Sequence, residues 1–325
     1  TSICFGDSLL ISIDTLSNLQ SNSPNVIIVP NDYASIQTAI DSASIYDTVI
    51  VMPGIYYENI VWDNKNLVIK SYSGREHTII DGQNLNNVFK ISGVDSTSLL
   101  EGFKIRNGDA TVNGTSYPLN SGGGILLHGG TNYIKLRNLI VEQCNGKNQG
   151  SGIYLRDVKA ILENLVIQNN LRGGITLSAG GAHAILRNVL ITNNGSKPGI
   201  FIYDTGIEIY NSEISNNDYC GIVYFGVGTS PNMFENVLFL NNGISTNSLN
   251  FGGAINLGIQ GADVAINNCT FYNNLGSSDI RSDGGFFNNN YAGNNIEITN
   301  SIFYESVQNS SRFAITADQI SDPLA

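Results

Sequence analysis

At 325 residues, 42% hydrophobic and 13% charged, the chain can bury a sizeable core but carries about half the usual globular share of charge. A formal net charge of −11 and a pI near 4.6 exclude nucleic acid and anionic membrane as partners, because both call for a basic stripe. No run of 18 apolar residues exists, so no segment reads as inserted in a membrane.

Gly, Asn, Ser and Thr take the place of charge, a polar uncharged surface that suits a secreted or cell-surface β-rich protein. Residues 1–25 read as an N-terminal extension, with weak alternation at 9–13 and a Ser/Asn linker over 17–25. The start at Thr1 fits a processed or excised segment, and residues 321–325 read as the start of a C-terminal continuation into a larger polypeptide. Asp32 is placed to cap an amphipathic helix over residues 33–43, with Ile36, Ala39, Ile40 and Ala43 on one face. Laid across the open end of a strand stack, such a helix covers an edge that would otherwise template aggregation. Strands are predicted at 48–52, 67–70, 78–80 and 88–91.

Two patterns then alternate. Gly124, Gly152, Gly174, Gly199 and Gly221 each open a short run of alternating apolar residues, and Gly253 does so with one residue extra. Asn138, Asn164, Asn188, Asn211, Asn236, Asn268 and Asn300 each open a second run, at steps of 26, 24, 23, 25, 32 and 32 residues. Period-two strands of four to six residues between Gly/Asn turns predict parallel strands stacked coil on coil, roughly 4.8 Å apart. No segment holds a 3.6 period for a dozen residues in this stretch, which excludes a helical array. The expected fold is an all-β, single-stranded parallel β-helix over residues 26–320 with the helix as its cap. The first Asn column is expected to form a ladder between turns. A second column of pairs, Asn169-Asn170 through Asn273-Asn274, is expected to occupy left-handed turns.

The run Val29-Pro-Asn-Asp-Tyr-Ala-Ser-Ile-Gln-Thr-Ala-Ile, then Asp47-Thr-Val-Ile-Val-Met-Pro-Gly-Ile-Tyr-Tyr-Glu-Asn, resembles the opening of pectin-lyase-like β-helix proteins. Ile79-Ile-Asp-Gly and Leu100-Glu-Gly-Phe-Lys-Ile-Arg-Asn-Gly continue the resemblance, which runs from residue 26 to about 320. It implies a right-handed coil and is nearest to secreted bacterial and archaeal surface proteins with generic β-helix repeats. The enzyme signatures of the fold are missing. The chain has no Gln-Asp pair or Asp-Phe strand of pectin methylesterases, and none of the four polygalacturonase motifs that supply paired carboxylates. It also lacks the Arg-x-Pro-x-x-Arg of pectate lyases and the Asp-Pro-His-Glu of C5-epimerases.

If the Ile and Leu of the glycine-led strands point inward, Leu126, Tyr154, Thr176, Phe201, Val223 and Asn256 point outward. The next outward row is His128, Arg156, Ser178, Tyr203 and Phe225. Tyr154, Arg156, Phe201, Tyr203 and Phe225 therefore form the candidate carbohydrate-binding strip, edged by Asp157 and Asp204, although such rings also stack simply to support a sheet. Catalytic candidates are Arg156 and His128 for proton transfer, assisted by Asp157 or Asp204. No cofactor is called for. Asp279 and Asp283 in a predicted loop are the sole candidate for Ca²⁺, against the plainer reading of a solvated turn. His77 and His183 stand apart from each other and from acid clusters. Cys4, Cys144, Cys220 and Cys269 read as free, mostly buried thiols. Asn113 and Asn194 fit glycosylation sequons, and the insertion 107–121 is expected to wall a binding face. Two functions stay open: a structural or adhesive extracellular module that binds a polysaccharide or cell-surface glycan, and a lyase or glycosidase acting on acidic polysaccharide.

Overall fold

The computed structural model describes residues 23–113, 119–129, 133–147, 150–179, 181–227, 232–243, 252–260, 263–275, 278–282, 295–304 and 315–317. One coil shows the plan. A glycine-led strand, Ile153–Arg156, turns at Asp157 (φ 53°) into Lys159–Glu163. A one-residue corner at Asn164 (φ 57°) leads to Val166–Gln168, and Asn169-Asn170 returns the chain to the next glycine-led strand, Ile175–Ser178. All named pairings are parallel, for example Ile153 with Ile175 and Val166 with Leu190, and register slips only between Gly252 and Ile255, where they meet the strand Ser278–Ser282. The glycine-led strands form a 10-stranded sheet, and the other two walls run together as a 19-stranded sheet among the described residues. Inward aliphatics of all three walls build one continuous core.

The recurring Gly and Asn turn out to serve one device. Asn170, Asn194, Asn217, Asn242 and Asn274 are buried and form an unbroken amide ladder. Nδ2 of each donates to Oδ1 of the next at 3.0, 3.1, 2.9 and 3.0 Å. Each Nδ2 also donates to a backbone carbonyl, such as Ile167 O from Asn194 (3.0 Å). The glycine beside it makes the room. A Cβ on Gly174 would lie 2.7 Å from the carbonyl oxygen of Gly199 and 3.2 Å from Nδ2 of Asn194. The expected roles of the two Asn columns are thus partly exchanged. The first column, Asn138 to Asn300, supplies left-handed corners (φ 49–57°), where a short polar side chain tolerates positive φ. Its side chains pair only in places, as from Asn188 to Asn164 (3.2 Å) and Asn236 to Asn211 (2.8 Å).

The capping helix spans Ile36–Ser42 and buries Ile36, Ala39 and Ile40. Its N-cap is Ser35, which accepts from Thr38 N (3.1 Å), and not Asp32. The Asp32 carboxylate is engaged elsewhere, accepting from Ile28 N (2.7 Å). Glu58 accepts from the backbone N–H groups of Ile36 and Gln37 (2.9 Å each), so the Pro-Gly-Ile-Tyr-Tyr-Glu run docks the cap. Gln37 closes the sheet edge. Its Nε2 donates to Val61 O (3.0 Å) and its Oε1 accepts from Val61 N (2.7 Å), one amide standing in for a neighbouring strand. Lys65 Nζ donates to Ile40 O (3.0 Å) and Asp41 O (2.7 Å) at the helix C-terminus.

Candidate functional site on the glycine-led sheet

Strand register places the two outward rows as the alternation predicts. Leu126, Tyr154, Thr176, Phe201, Val223 and Asn256 align one above another, as do His128, Arg156, Ser178, Tyr203 and Phe225. The same columns extend to Lys90 with Leu126, and to Asp63 and Ser92 with His128. Sequence reasoning missed those three because their strands open on no glycine. The usable signal was Asn59 and Asn87, which hold that corner: Asn59 Nδ2 donates to Asn87 O (3.0 Å), and Asn87 Nδ2 donates to Ser121 O (2.7 Å).

The first outward row is not open surface. Leu126, Tyr154, Thr176, Val223 and Asn256 are buried, although only their neighbours in the strand face the core. The connections entering the glycine-led strands lie over them. A Cβ on Gly122 would fall 2.8 Å from Tyr154 Cβ, and one on Gly150 would fall 2.6 Å from Thr176 Oγ1. Tyr154 is therefore removed from the exposed strip. Its hydroxyl shares a hydrogen bond with Ser178 Oγ (2.9 Å) beneath the surface.

What remains outside is Phe201 and the second row without Ser178, which is buried. Tyr203 is 47% exposed, while Arg156, Phe201 and Phe225 are half-buried. The Phe201 and Phe225 rings lie 5.7 Å apart at 50°. Asp157 is exposed, with its carboxylate 3.7 Å from Arg156 Nε. Asp204 holds the equivalent left-handed corner (φ 53°) two coils on, its carboxylate folded against Gly226.

His128 sits among Lys90, Asp63 and Arg156. Burial pushes its pKa down, Lys90 and Arg156 push the same way, and Asp63 opposes them. Its Nε2 is buried and has no hydrogen-bond partner. Among the described residues four buried side-chain polar atoms lack a partner, and three of them lie on this face: His128 Nε2, Thr176 Oγ1 and Asn256 Oδ1.

The other sequence candidates fall elsewhere. Asp279 lies in the strand Ser278–Ser282, not in a loop, and Asp283 lies outside the described residues. No group of three or more His, Cys, Asp or Glu that could hold a metal occurs among the described residues. Asn194 is a fully buried rung of the amide ladder, which closes it to glycosylation in the folded chain, and residues 114 and 115 of the other sequon lie outside the described residues. Cys144, Cys220 and Cys269 are free and buried, and Cys4 is outside the described residues. Burial pushes the Cys144 thiol up to about 12, so it is inert as a nucleophile.

His183 is not apart from acid. Its Nε2 lies 3.1 Å from Glu208 Oε1, and Tyr210 donates its hydroxyl to Glu208 Oε2 (2.7 Å). Burial opposes ionisation of Glu208, but the hydrogen bonds from Tyr210 and His183 bring its pKa below the usual value. The same bond, with burial, pushes Tyr210 up to about 12. Both carboxylate oxygens are occupied, so the cluster braces neighbouring coils. The shared motif residues are structural too. Asp81 accepts from Arg106 Nε (2.8 Å), Asn107 Nδ2 (2.9 Å) and Gln83 N (3.0 Å), tying one coil to the next.

A family described as "right handed beta helix region" matches residues 78–236 and 151–319. No curated protein matches the chain. Among solved structures, a pectin methylesterase from Aspergillus niger is 12% identical over 92% of each chain, with a TM-score of 0.49. Pectate lyase Pel9A is 12% identical over 90% of this chain and 79% of its own (TM-score 0.49). The A-module of mannuronan C-5 epimerase AlgE6 from Azotobacter vinelandii is 13% identical over 83% and 90% (TM-score 0.42). Likeness this distant says nothing of activity. With residues 78–319 covered by the match and the described strands paired in parallel, the chain belongs to the right-handed β-helix family.

Proposed function

We propose that the protein is an extracellular or cell-surface β-helix module, structural or adhesive in role, that holds a polysaccharide along the outward face of its glycine-led sheet. The observation that carries this reading is the strip left open on that face, where exposed Tyr203 and half-buried Phe225 and Arg156 stand in register with His128 and its unpartnered Nε2, beside half-buried Phe201. An unpartnered nitrogen of that kind costs about 1–3 kcal/mol of desolvation, a cost proteins concentrate where a partner is to be met. A polyhydroxylated ligand brings both donors and acceptors to such a face. Tyr203 and Phe225 offer aromatic surface for the apolar side of a sugar ring, and Arg156 offers a fork of donors for hydroxyl or carboxylate oxygens. A glycan array with wild type, Tyr203→Ala and Arg156→Ala tests it. Each variant should bind about tenfold more weakly at unchanged thermal stability. Equal binding by all three removes this face from consideration.

A second reading rests on His128. A lowered pKa keeps the imidazole neutral at neutral pH, with an unpartnered Nε2, as a general base requires. In that case His128 or Arg156 moves the proton, Asp157 or Asp204 assists, and the substrate is an acidic polysaccharide. Incubation with uronate polysaccharides and Ca²⁺ should then yield ultraviolet-absorbing unsaturated ends or new reducing ends, lost in His128→Ala. Absence of product across a broad panel leaves the binding module as the reading.

A further inference from the structure

The inner contacts of this coil stack are nearly interchangeable. Gly152, Gly174 and Gly199 play one part, and Asn170, Asn194 and Asn217 another, so neither column distinguishes the next coil from the one beyond it. The outer faces do. Along the second wall the register aligns Lys70, Glu101, Arg137, Glu163 and Arg187, charges of alternating sign on five successive coils. Arg137 grips Glu101 through two bonds, Nε to Oε1 (2.8 Å) and Nη2 to Oε2 (2.9 Å). Arg187 Nη1 lies 3.9 Å from Glu163 Oε1, and its guanidinium also covers the Tyr210 ring of the following coil at 5.4 Å.

The third wall carries a second stripe, Asp81, Arg106 and Glu142, joined by an Arg106–Asp81 contact of 2.8 Å. It alternates in the opposite phase. The coil with Lys70 holds Asp81, the coil with Glu101 holds Arg106, and the coil with Arg137 holds Glu142. The first three of these coils therefore meet opposite charge on both walls, and the last two on the second wall alone, since Gln168 and Thr192 continue the third. A pairing that skips a coil meets like charge: Lys70 against Arg137, Asp81 against Glu142, Glu101 against Glu163. Like charges directly opposite on adjacent strands are destabilising.

We propose that these two out-of-phase charge stripes are a register device, which gives otherwise interchangeable coils an order and blocks skipped-coil pairing during folding. The second-wall stripe lies at the half-exposed surface, so salt screens it. The test is refolding from denaturant, with native monomer counted by size exclusion at low and at high salt. Wild type should lose yield severalfold as salt rises, because screening removes the discrimination. Glu163→Arg faces like charge in the native register and opposite charge, Glu101, in the skipped one, so its yield should be lowest at low salt and rise with salt. Charges that only stabilise the folded state would reverse in the same way, so the deciding comparison is a neutral variant whose folded-state stability is unchanged. A neutral variant, Glu101→Gln with Arg137→Gln, Glu163→Gln and Arg187→Gln, should keep a melting temperature near wild type but refold severalfold less completely at any salt. The proposal is overturned if wild type and Glu163→Arg respond to salt in the same direction, or if the neutral variant refolds as wild type does. Should Glu163→Arg not fold, wild type and the neutral variant decide the matter alone.

Discussion

Asn217→Ala should remove about 4 kcal/mol or more of stability, a large share of the 5–15 kcal/mol typical of a folded domain. Asn217 sits mid-ladder. Its Oδ1 accepts from Asn194 Nδ2 (3.1 Å) and Asn194 N (3.2 Å), and its Nδ2 donates to Asn242 Oδ1 (2.9 Å) and Ile191 O (3.1 Å). Alanine removes four hydrogen bonds in a place water does not reach, at about 1 kcal/mol or more each before relaxation, although Asn194 Nδ2 keeps Ile167 O and Asn242 Oδ1 keeps Asn217 N as partners. The neighbouring Asn216→Ala is the control. That side chain points outward from a left-handed corner (φ 53°), and its loss should cost only about 1 kcal/mol. Thermal unfolding followed by circular dichroism compares the two, and hydrogen exchange reads the backbone amide of Asn194. Comparable melting temperatures for the two variants would show the ladder to be incidental.

Phe271→Ala should cost about 3–5 kcal/mol and lower the melting temperature by about 5–10 °C. The ring is fully buried, stacked on Phe239 at 4.9 Å and on Phe303 at 4.5 Å, each within 2° of parallel. Alanine leaves a cavity between two rings held by their own strands, and the stacking energy of both contacts goes with it. Phe271→Leu should recover most of the loss. Because the strands of each coil pair only with those of the coils on either side, the damage should be felt first in the coils beyond Phe271. Hydrogen exchange would then show early loss of protection near Phe303 while the coils around Ile153 stay closed. Uniform loss along the chain would instead mean that the stack unfolds as one unit.

The coil repeat, the parallel register and both outward rows were legible because alternation of period two and the Gly and Asn punctuation are local signals. What covers a row is not local. Tyr154 and Phe201 occupy the same outward row, yet the connection through Gly122 lies over one and the other stays half-buried at the surface. The cap shows the same limit on a smaller scale. Asp32 and Ser35 are both good N-caps, and the choice was settled by Ile28 N, which claims the Asp32 carboxylate across a turn. The pairing of His183 with Glu208 was readable in principle, since 25 residues separate them, one coil of the stack. It was missed because only the glycine-led wall was aligned from coil to coil. The two Asn columns were told apart only by burial: a residue in a left-handed corner and a buried rung carry the same letter.

The glycine and its ladder Asn present the same face to the coil before and the coil after. A coil carrying that pair can therefore be duplicated or deleted as a unit while the inner joint is remade unchanged. Lengthening is limited instead by the outer charges, under which adding or losing coils in twos preserves the alternation that a single one breaks. Growth of this rod by gene duplication would accordingly be expected to proceed in paired increments, each carrying its tip about 10 Å further from its base.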